Sequence, residues 1–251
     1  MIIFGNGAAY GRATADYSGA AIANPTPVRF GIIQDLGFDL SRELKMLYGE
    51  KSYPVAVGVG KGKASFKAKL GNFSAAVYGQ LFAGRAASTA IKLMVTDDPI
   101  TIATSVSTTP PSSGTFVTDY GITNVSTGLP FKRVASGPVA GEYSVTAGTY
   151  TFAVADAGIA ALRNYEYSVA AAVGNSIFTL NNDTMGLAPT FSYIGQTSYL
   201  GKKLVLNLSN CISGKFSAPQ KNDDFALQDF EFEAFDSGNG TLGYMTITEP
   251  S

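Results

Sequence analysis

The sequence contains no histidine and no tryptophan, and Cys211 is the single cysteine among its 251 residues. Without an imidazole the chain has no Ser-His-Asp triad, no Cys-His pair and no histidine ligand for a metal ion. One cysteine excludes an intrachain disulfide, and no basic residue stands beside it in sequence to activate its thiol. We therefore expect a protein that is not an enzyme, with no catalytic residue, cofactor or metal site, and with Cys211 buried as a small apolar side chain.

Charge is scarce as well, because Lys and Arg number 18 against 19 Asp and Glu, and charged residues make up 15% of the chain. Together with 28 glycines, this composition fits an all-β protein that buries much of its surface against other chains. The near-neutral charge gives no reason to expect sequence-specific binding to nucleic acid. Residues 1–12 lack the basic and apolar pattern of a signal peptide, and no apolar run reaches the length of a membrane helix. We therefore expect no membrane insertion and a cytoplasmic site of synthesis.

Two apolar runs, residues 28–47 and 53–70, flank the turn signal Tyr48-Gly49-Glu50-Lys51 and predict a long β-hairpin. Alternation along the second run predicts that three valines share one face with a row of lysines, namely Val55, Val57, Val59, Lys61, Lys63, Lys67 and Lys69. We interpret this lysine row as a subunit contact rather than a phosphate site. Asn72 is the expected N-cap of a helix that ends before Gly84.

The rest of the chain divides by composition. Residues 1–27 contain Pro25 and Pro27 and predict an extended N-terminal arm. Residues 111–174 have short apolar runs between glycines and predict an inserted β-rich module, which leaves 28–110 and 175–251 as the main β domain.

The C-terminal segment shows the alternation of a strand followed by a turn. Residues 225–235 and 241–248 flank Asp236-Ser-Gly-Asn-Gly240, and this pattern predicts a second hairpin. In it Asp229, Glu231 and Glu233 share one face, and phenylalanines occupy the other. The acidic stripe is opposite in sign to the lysine row, which favours strand pairing within or between subunits.

Several short motifs occur in a particular order along the chain, and this order is more specific to a protein family than any single motif. Leu47-Tyr48-Gly49 is followed by Tyr53-Pro-Val-Ala-Val57, then Gly60-Lys-Gly-Lys63, then Lys67-Ala-Lys69, and the run DFEFEAF at 229–235 precedes a Gly/Asn turn. In this order the two segments resemble the major tail tube proteins of long-tailed bacteriophages. The stretch between Thr118 and Gly158 is similar to a β-rich module of phage structural proteins.

The resemblance implies a mainly β fold: a tail-tube-type β-sandwich or barrel with one short flanking α-helix, plus an inserted small immunoglobulin-like (Ig-like) β-sandwich. It also implies a structural virion protein, assembled in the host cytoplasm, whose homohexameric rings stack into the tail tube that conducts DNA into the bacterium. The expected partners are other copies of the chain, tail tip or baseplate and tail terminator proteins, and the tape measure protein and double-stranded DNA in the lumen, without sequence-specific binding.

The same resemblance implies two sets of functional residues. The loop of the first hairpin would contact an adjacent ring, which makes subunit-contact candidates of Arg42, Glu43, Lys45, Glu50 and Lys51, together with Lys61, Lys63, Lys67 and Lys69. Acidic side chains repel phosphate, so Asp229, Glu231 and Glu233 are candidates to line the lumen. For the same reason we expect the lysines to face outward or to pair with acids.

Two alternatives stay open. The first is a phage decoration or adhesive protein whose inserted module binds carbohydrate or a surface, with Tyr143, Tyr150, Tyr165 and Tyr167 as stacking residues. The second is the related tube of a contractile secretion system, which would have the same architecture.

Overall fold

The chain forms two compact units, which we call the main unit (residues 1–87 and 180–251) and the inserted unit (residues 88–179). The computed structural model describes residues 7–72, 74–86, 90–170, 177–199, 201–219, 223, 226–236 and 238–248. The inserted unit begins earlier than the predicted residue 111, because two further strands before that residue pair with strands inside it.

Fifteen strands account for most of the described structure. In chain order they are β1 (Ala8–Ala15), β2 (Val28–Arg29), β3 (Ile33–Tyr48), β4 (Pro54–Leu70), β5 (Ile91–Thr101), β6 (Ser105–Ser107), β7 (Thr115–Asn124), β8 (Lys132–Arg133), β9 (Glu142–Thr146), β10 (Thr149–Phe152), β11 (Ala160–Val169), β12 (Thr190–Tyr199), β13 (Lys202–Ser217), β14 (Gln228–Ala234) and β15 (Gly243–Thr248). The predicted mainly β class is therefore confirmed.

The main unit is built on one antiparallel sheet with the strand order β2-β1-β12-β13-β14-β4-β3, and β15 pairs with β13. Alternate side chains of each strand enter the core, as the period of two requires. Phe66 of β4 stacks on Phe232 of β14 with ring centroids 5.1 Å apart, and Phe30 packs edge-on against Phe230 at 5.5 Å. These four rings are buried and form the centre of the main core.

Residues 8–15, predicted as part of an extended arm, form β1 inside the sheet, between β12 and β2. The prediction missed this strand because its inward side chains are very small: Ala9, Gly11 and Ala13. Packing explains the glycine at position 11, because a Cβ there would lie 2.4 Å from Cδ1 of the buried Leu81. Residues 1–6 of the predicted arm lie outside the described residues.

The predicted helix is present as a short π-helical segment, Val77–Phe82, with Val77 and Leu81 buried on the expected face. Asn72 does not precede this segment directly; its Oδ1 accepts a hydrogen bond from the Ile32 amide at 2.9 Å. Ser74 Oγ instead accepts a hydrogen bond from the Val77 amide, at 3.3 Å. Short 3₁₀ turns occur at Pro111–Ser113 and Val154–Asp156. No helix in the described part of the chain is both long and apolar enough to cross a membrane.

The predicted C-terminal hairpin is wrong, because β14 and β15 both pair with β13 and lie one after the other along the same strand. Ala234 lies opposite Cys211, and Gly243 lies opposite Leu208. Between them the Asp236 carboxylate accepts hydrogen bonds from the backbone amides of Gly238, Asn239 and Gly240. The glycine-rich segment therefore separates two strands that follow one another along β13, instead of reversing the chain.

The inserted unit contains a four-stranded sheet, β6-β10-β9-β8, and a three-stranded sheet, β5-β11-β7. Its core takes side chains from both sheets, including Tyr143, Tyr150 and Phe152 from the first and Ile122 and Ala161 from the second. Two sheets that share one core are the arrangement of a β-sandwich.

Candidate functional site

The first hairpin extends beyond the sheet that carries it. β14 pairs with β4 only between Ala64 and Leu70, whereas β3 and β4 remain paired as far as Tyr48 and Pro54. We call the extension, residues 42–62, the ribbon. The predicted hairpin is thus confirmed, and its outer part is a two-stranded structure with the turn at its tip.

A β-bulge in β4 decides which side chains share a face of the ribbon. Arg42 of β3 lies opposite Gly62 of β4, and Leu44 of β3 lies opposite Val59 of β4. The step from the first pair to the second is two residues along β3 but three residues along β4. Between these pairs β4 has one residue more than β3, which reverses its alternation. Since directly opposite residues lie on the same face, Val57 and Val59 lie on the side of the sheet that carries the core.

The prediction that Val57 and Val59 share a face with the lysine row is therefore wrong. The bulge falls at Gly60 and Lys61, so the lysines beyond it keep the opposite face. Glycine inside a strand often marks a bulge, and the Gly60-Lys61-Gly62 sequence is the signal from which this one could have been inferred.

The ribbon has an apolar face with nothing packed over it among the described residues. Leu44, Met46, Val57 and Val59 are between 48% and 63% exposed. At the base of the ribbon lies an apolar groove lined by Phe38, Leu40, Leu208, Leu242, Tyr244 and Met245. Contiguous exposed apolar surface of this kind marks protein-protein contacts in soluble proteins.

The polar contact candidates also lie on the ribbon. Glu43 and Lys45 lie on the face opposite to Leu44, and their side chains cover Gly60. Arg42, Glu50 and Lys51 are exposed, the last two in the turn. Sequence reasoning selected these charged residues and missed the apolar side chains that alternate with them.

On the side of the sheet away from the core, charge alternates from strand to strand; we call this surface the charged face. Its residues are Asp35 and Asp39 on β3, Lys63, Lys67 and Lys69 on β4, Asp229, Glu231 and Glu233 on β14, and Lys215 on β13. The acidic stripe and the lysine row predicted from the sequence therefore meet within one chain.

Ion pairs join the strands of the charged face. Lys63 Nζ lies 2.7 Å from Glu233 Oε1, and Lys67 Nζ lies 3.4 Å from Glu231 Oε1, so the expected pairing is confirmed for these two lysines. Glu231 Oε1 is also 3.5 Å from Lys215 Nζ. The hydrogen bond that Lys63 donates to Glu233 raises the pKa of Lys63 above its usual value, with smaller contributions from Asp39 and Glu231. In the strand register Lys69 lies between Asp35 and Asp229.

This pairing changes the electrostatics expected of the lumen-lining candidates. Asp229, Glu231 and Glu233 do lie on one face, but the neighbouring strand β4 carries the lysine row and Lys215 lies opposite Glu231 on β13. The charged face is therefore a checkerboard with little net charge rather than an acidic wall.

The four tyrosines considered as stacking residues are all buried in the inserted unit. The hydroxyls of Tyr143 and Tyr150 donate to the Asp119 carboxylate at 2.7 and 2.9 Å, and burial raises the pKa of both tyrosines. Tyr165 and Tyr167 are core residues of β11. These side chains hold the sandwich together, so a carbohydrate has no access to their rings.

Cys211 is buried in the main core, as predicted, and burial raises the pKa of its thiol to about 12. Within the described ranges, no group of three or more His, Cys, Asp or Glu side chains is placed to hold a metal ion. Comparison with models of known protein families and with curated proteins found no match for the chain.

Proposed function

We propose that this chain is a structural subunit of a bacteriophage tail tube, whose homohexameric rings stack into the conduit for DNA delivery. Under this proposal the main unit is a tail-tube-type β-sandwich or barrel, and the inserted unit is an Ig-like module. The chain acts by assembling with its own copies and with tip, terminator and tape measure proteins.

The observation that carries the proposal is the open side of the sheet at β3. This strand is 16 residues long and is the last in the strand order of the described residues. No described strand pairs with the edge that faces away from β4, so that edge can offer its backbone groups to a partner. Long open edges with apolar side chains add strands from other chains unless they are blocked. The apolar face of the ribbon supports a contact of the same kind.

Symmetry explains why such a surface leads to a defined assembly. A ribbon and the surface that receives it are different parts of the chain, so each copy offers one of each and the contact is heterologous. Heterologous contacts close into rings or continue as filaments, and a tube of stacked rings uses both outcomes.

A single label at the tip of the ribbon tests the proposal. Tyr53 is 83% exposed, and we expect an environment-sensitive dye on Tyr53→Cys to shift to the blue as the protein is concentrated. Cys211 is buried with a raised thiol pKa, so labelling is confined to the introduced cysteine. Unlabelled wild-type protein should compete with labelled copies for places in the assembly and so reduce contacts between one dye and another.

Met185 provides the matched control, because it is 97% exposed and lies in the main unit away from the ribbon sequence. We expect the dye on Met185→Cys to change little on concentration. Equal shifts at both positions would indicate non-specific aggregation, and no shift at Tyr53→Cys in protein that forms rings would exclude the ribbon tip from the contact.

A further inference from the structure

The lysines of the charged face have the arrangement of a phosphate-binding row. Lys63, Lys67 and Lys69 project from the same face of β4. Lys67 and Lys69 are about 7 Å apart along the strand, and Lys63 lies about 14 Å from Lys67. Lys215 extends the positive charge across the sheet to β13. Lysine side chains bind phosphate as flexible point charges, and binding to DNA without sequence preference depends on them through counterion release.

Two glutamates form ion pairs with lysine ammonium groups that phosphate binding would require. Glu233 pairs with Lys63, and Glu231 lies within 3.5 Å of both Lys67 and Lys215. Three of the four lysines are thus engaged by two carboxylates. Exposed pairs of this kind contribute little to the stability of a fold, so their larger effect is on what the surface binds.

We propose that Glu231 and Glu233 keep a latent phosphate-binding row neutralised, so that double-stranded DNA passes the charged face without binding to it. The inference rests on the proposed function for the statement that DNA meets this face. The neutralisation itself is a property of the isolated chain. A duplex that approaches must displace Glu233 to contact Lys63, and Glu231 to contact Lys67 or Lys215. Both carboxylates also repel its phosphates.

The test is binding of a fluorescent 30-base-pair duplex to the full chain at 50 mM NaCl, measured by anisotropy. We expect wild-type protein to bind weakly and Glu231→Gln/Glu233→Gln to bind at least tenfold more tightly. The gain should fall with salt, with an additional log-log slope of about −2.7, since each of the three freed lysines contributes about 0.9. Adding Lys63→Gln and Lys67→Gln to the double variant should remove most of the gain.

The inserted unit provides a matched control. Glu142 pairs with Lys132 and Glu166 with Lys92, on two different sheets. Glu142→Gln/Glu166→Gln therefore makes the same change in net charge and also frees two lysines, but it does not create a row. We expect its affinity for the duplex to match that of the wild type.

Three results would overturn the inference: no gain in Glu231→Gln/Glu233→Gln, an equal gain in the control variant, or tight salt-sensitive binding by the wild type. Light scattering on the same samples separates this inference from the proposed function. If the wild type forms rings but Glu231→Gln/Glu233→Gln gains no affinity for the duplex, the proposed function is supported and the inference is wrong. If the double variant gains affinity for the duplex but the chain never assembles, the latent phosphate-binding row is supported and the proposed function is wrong.

Discussion

At the scale of single residues, the inserted unit depends on a buried guanidinium. Arg163 lies in the interior, and its Nε and Nη2 donate to Asp98 Oδ2 at 3.1 and 2.5 Å. Its guanidinium carbon also lies 5.2 Å from the centre of the Tyr165 ring. Removal of the carboxylate would leave a buried positive charge with no opposite charge beside it.

We expect Asp98→Ala to lower the free energy of unfolding of the inserted unit by about 3 kcal/mol. Hydrogen exchange resolved by unit is the suitable measurement, with increased exchange expected in β11 and no change in the main unit. Asp98→Asn is the control, since its amide oxygen still accepts one hydrogen bond and should reduce the loss. Protection of β11 unchanged in Asp98→Ala would contradict this role of the pair.

The thiol of Cys211 gives a second prediction, because burial raises its pKa from 9.0 to about 12. In the native protein at pH 8 we expect an aromatic disulfide reagent to react at least about a thousandfold more slowly than in the urea-unfolded chain. The folded state holds the proton more tightly, so its contribution to stability is complete below pH 9 and declines as the pH rises toward 12. Fast native-state labelling at pH 8 would show that the core around Cys211 is open.

At the scale of elements, the two faces of the ribbon make different predictions. Val57 lies on the apolar face, and its neighbour Ala56 points to the other face, opposite Leu47. Both residues are exposed, so aspartate at either position should leave the fold intact. We expect Val57→Asp to raise the concentration needed for assembly by at least tenfold and Ala56→Asp to change it little, as measured by mass photometry. Equal effects of the two variants would show that the apolar face is not the contact.

Local patterns in the sequence predicted the elements better than their partners. The alternation in β4 and in β14 correctly separated phenylalanines from charged residues, because a strand fixes that separation by its own geometry. The bulge at Gly60 reversed the alternation in the ribbon, and an extra residue of this kind depends on the pairing with β3.

The C-terminal prediction was wrong for a related reason. Asp236 and the glycines after it have the composition of a hairpin turn, but β13 is long enough to pair with both flanking strands. Pairing with β13 decides whether the chain reverses at this turn or continues along the same strand. The turn residues do not specify that pairing, because β13 is distant from them in the sequence. The candidate site shows the same limit, since the ion pairs of Glu231 depend on strands that are distant in the chain.

At the scale of the whole molecule, the chain has few charges. The residues that the structure describes form a neutralised charged face and a long open edge at β3. A net charge of −1 provides little repulsion between copies, and the apolar face of the ribbon favours their association. Assembly that depends on apolar contact should persist in 1 M NaCl, whereas assembly held by exposed ion pairs would weaken as salt screens them.

Under the proposed function, copies of this chain close into rings that stack. Negative-stain electron microscopy of the purified protein over a range of concentrations tests it most directly, with rotational averaging of end-on views. We expect six-fold rings with a central channel and, at high concentration, hollow tubes. Particles that remain single chains at every concentration, even when seeded with phage tail tips, would contradict it.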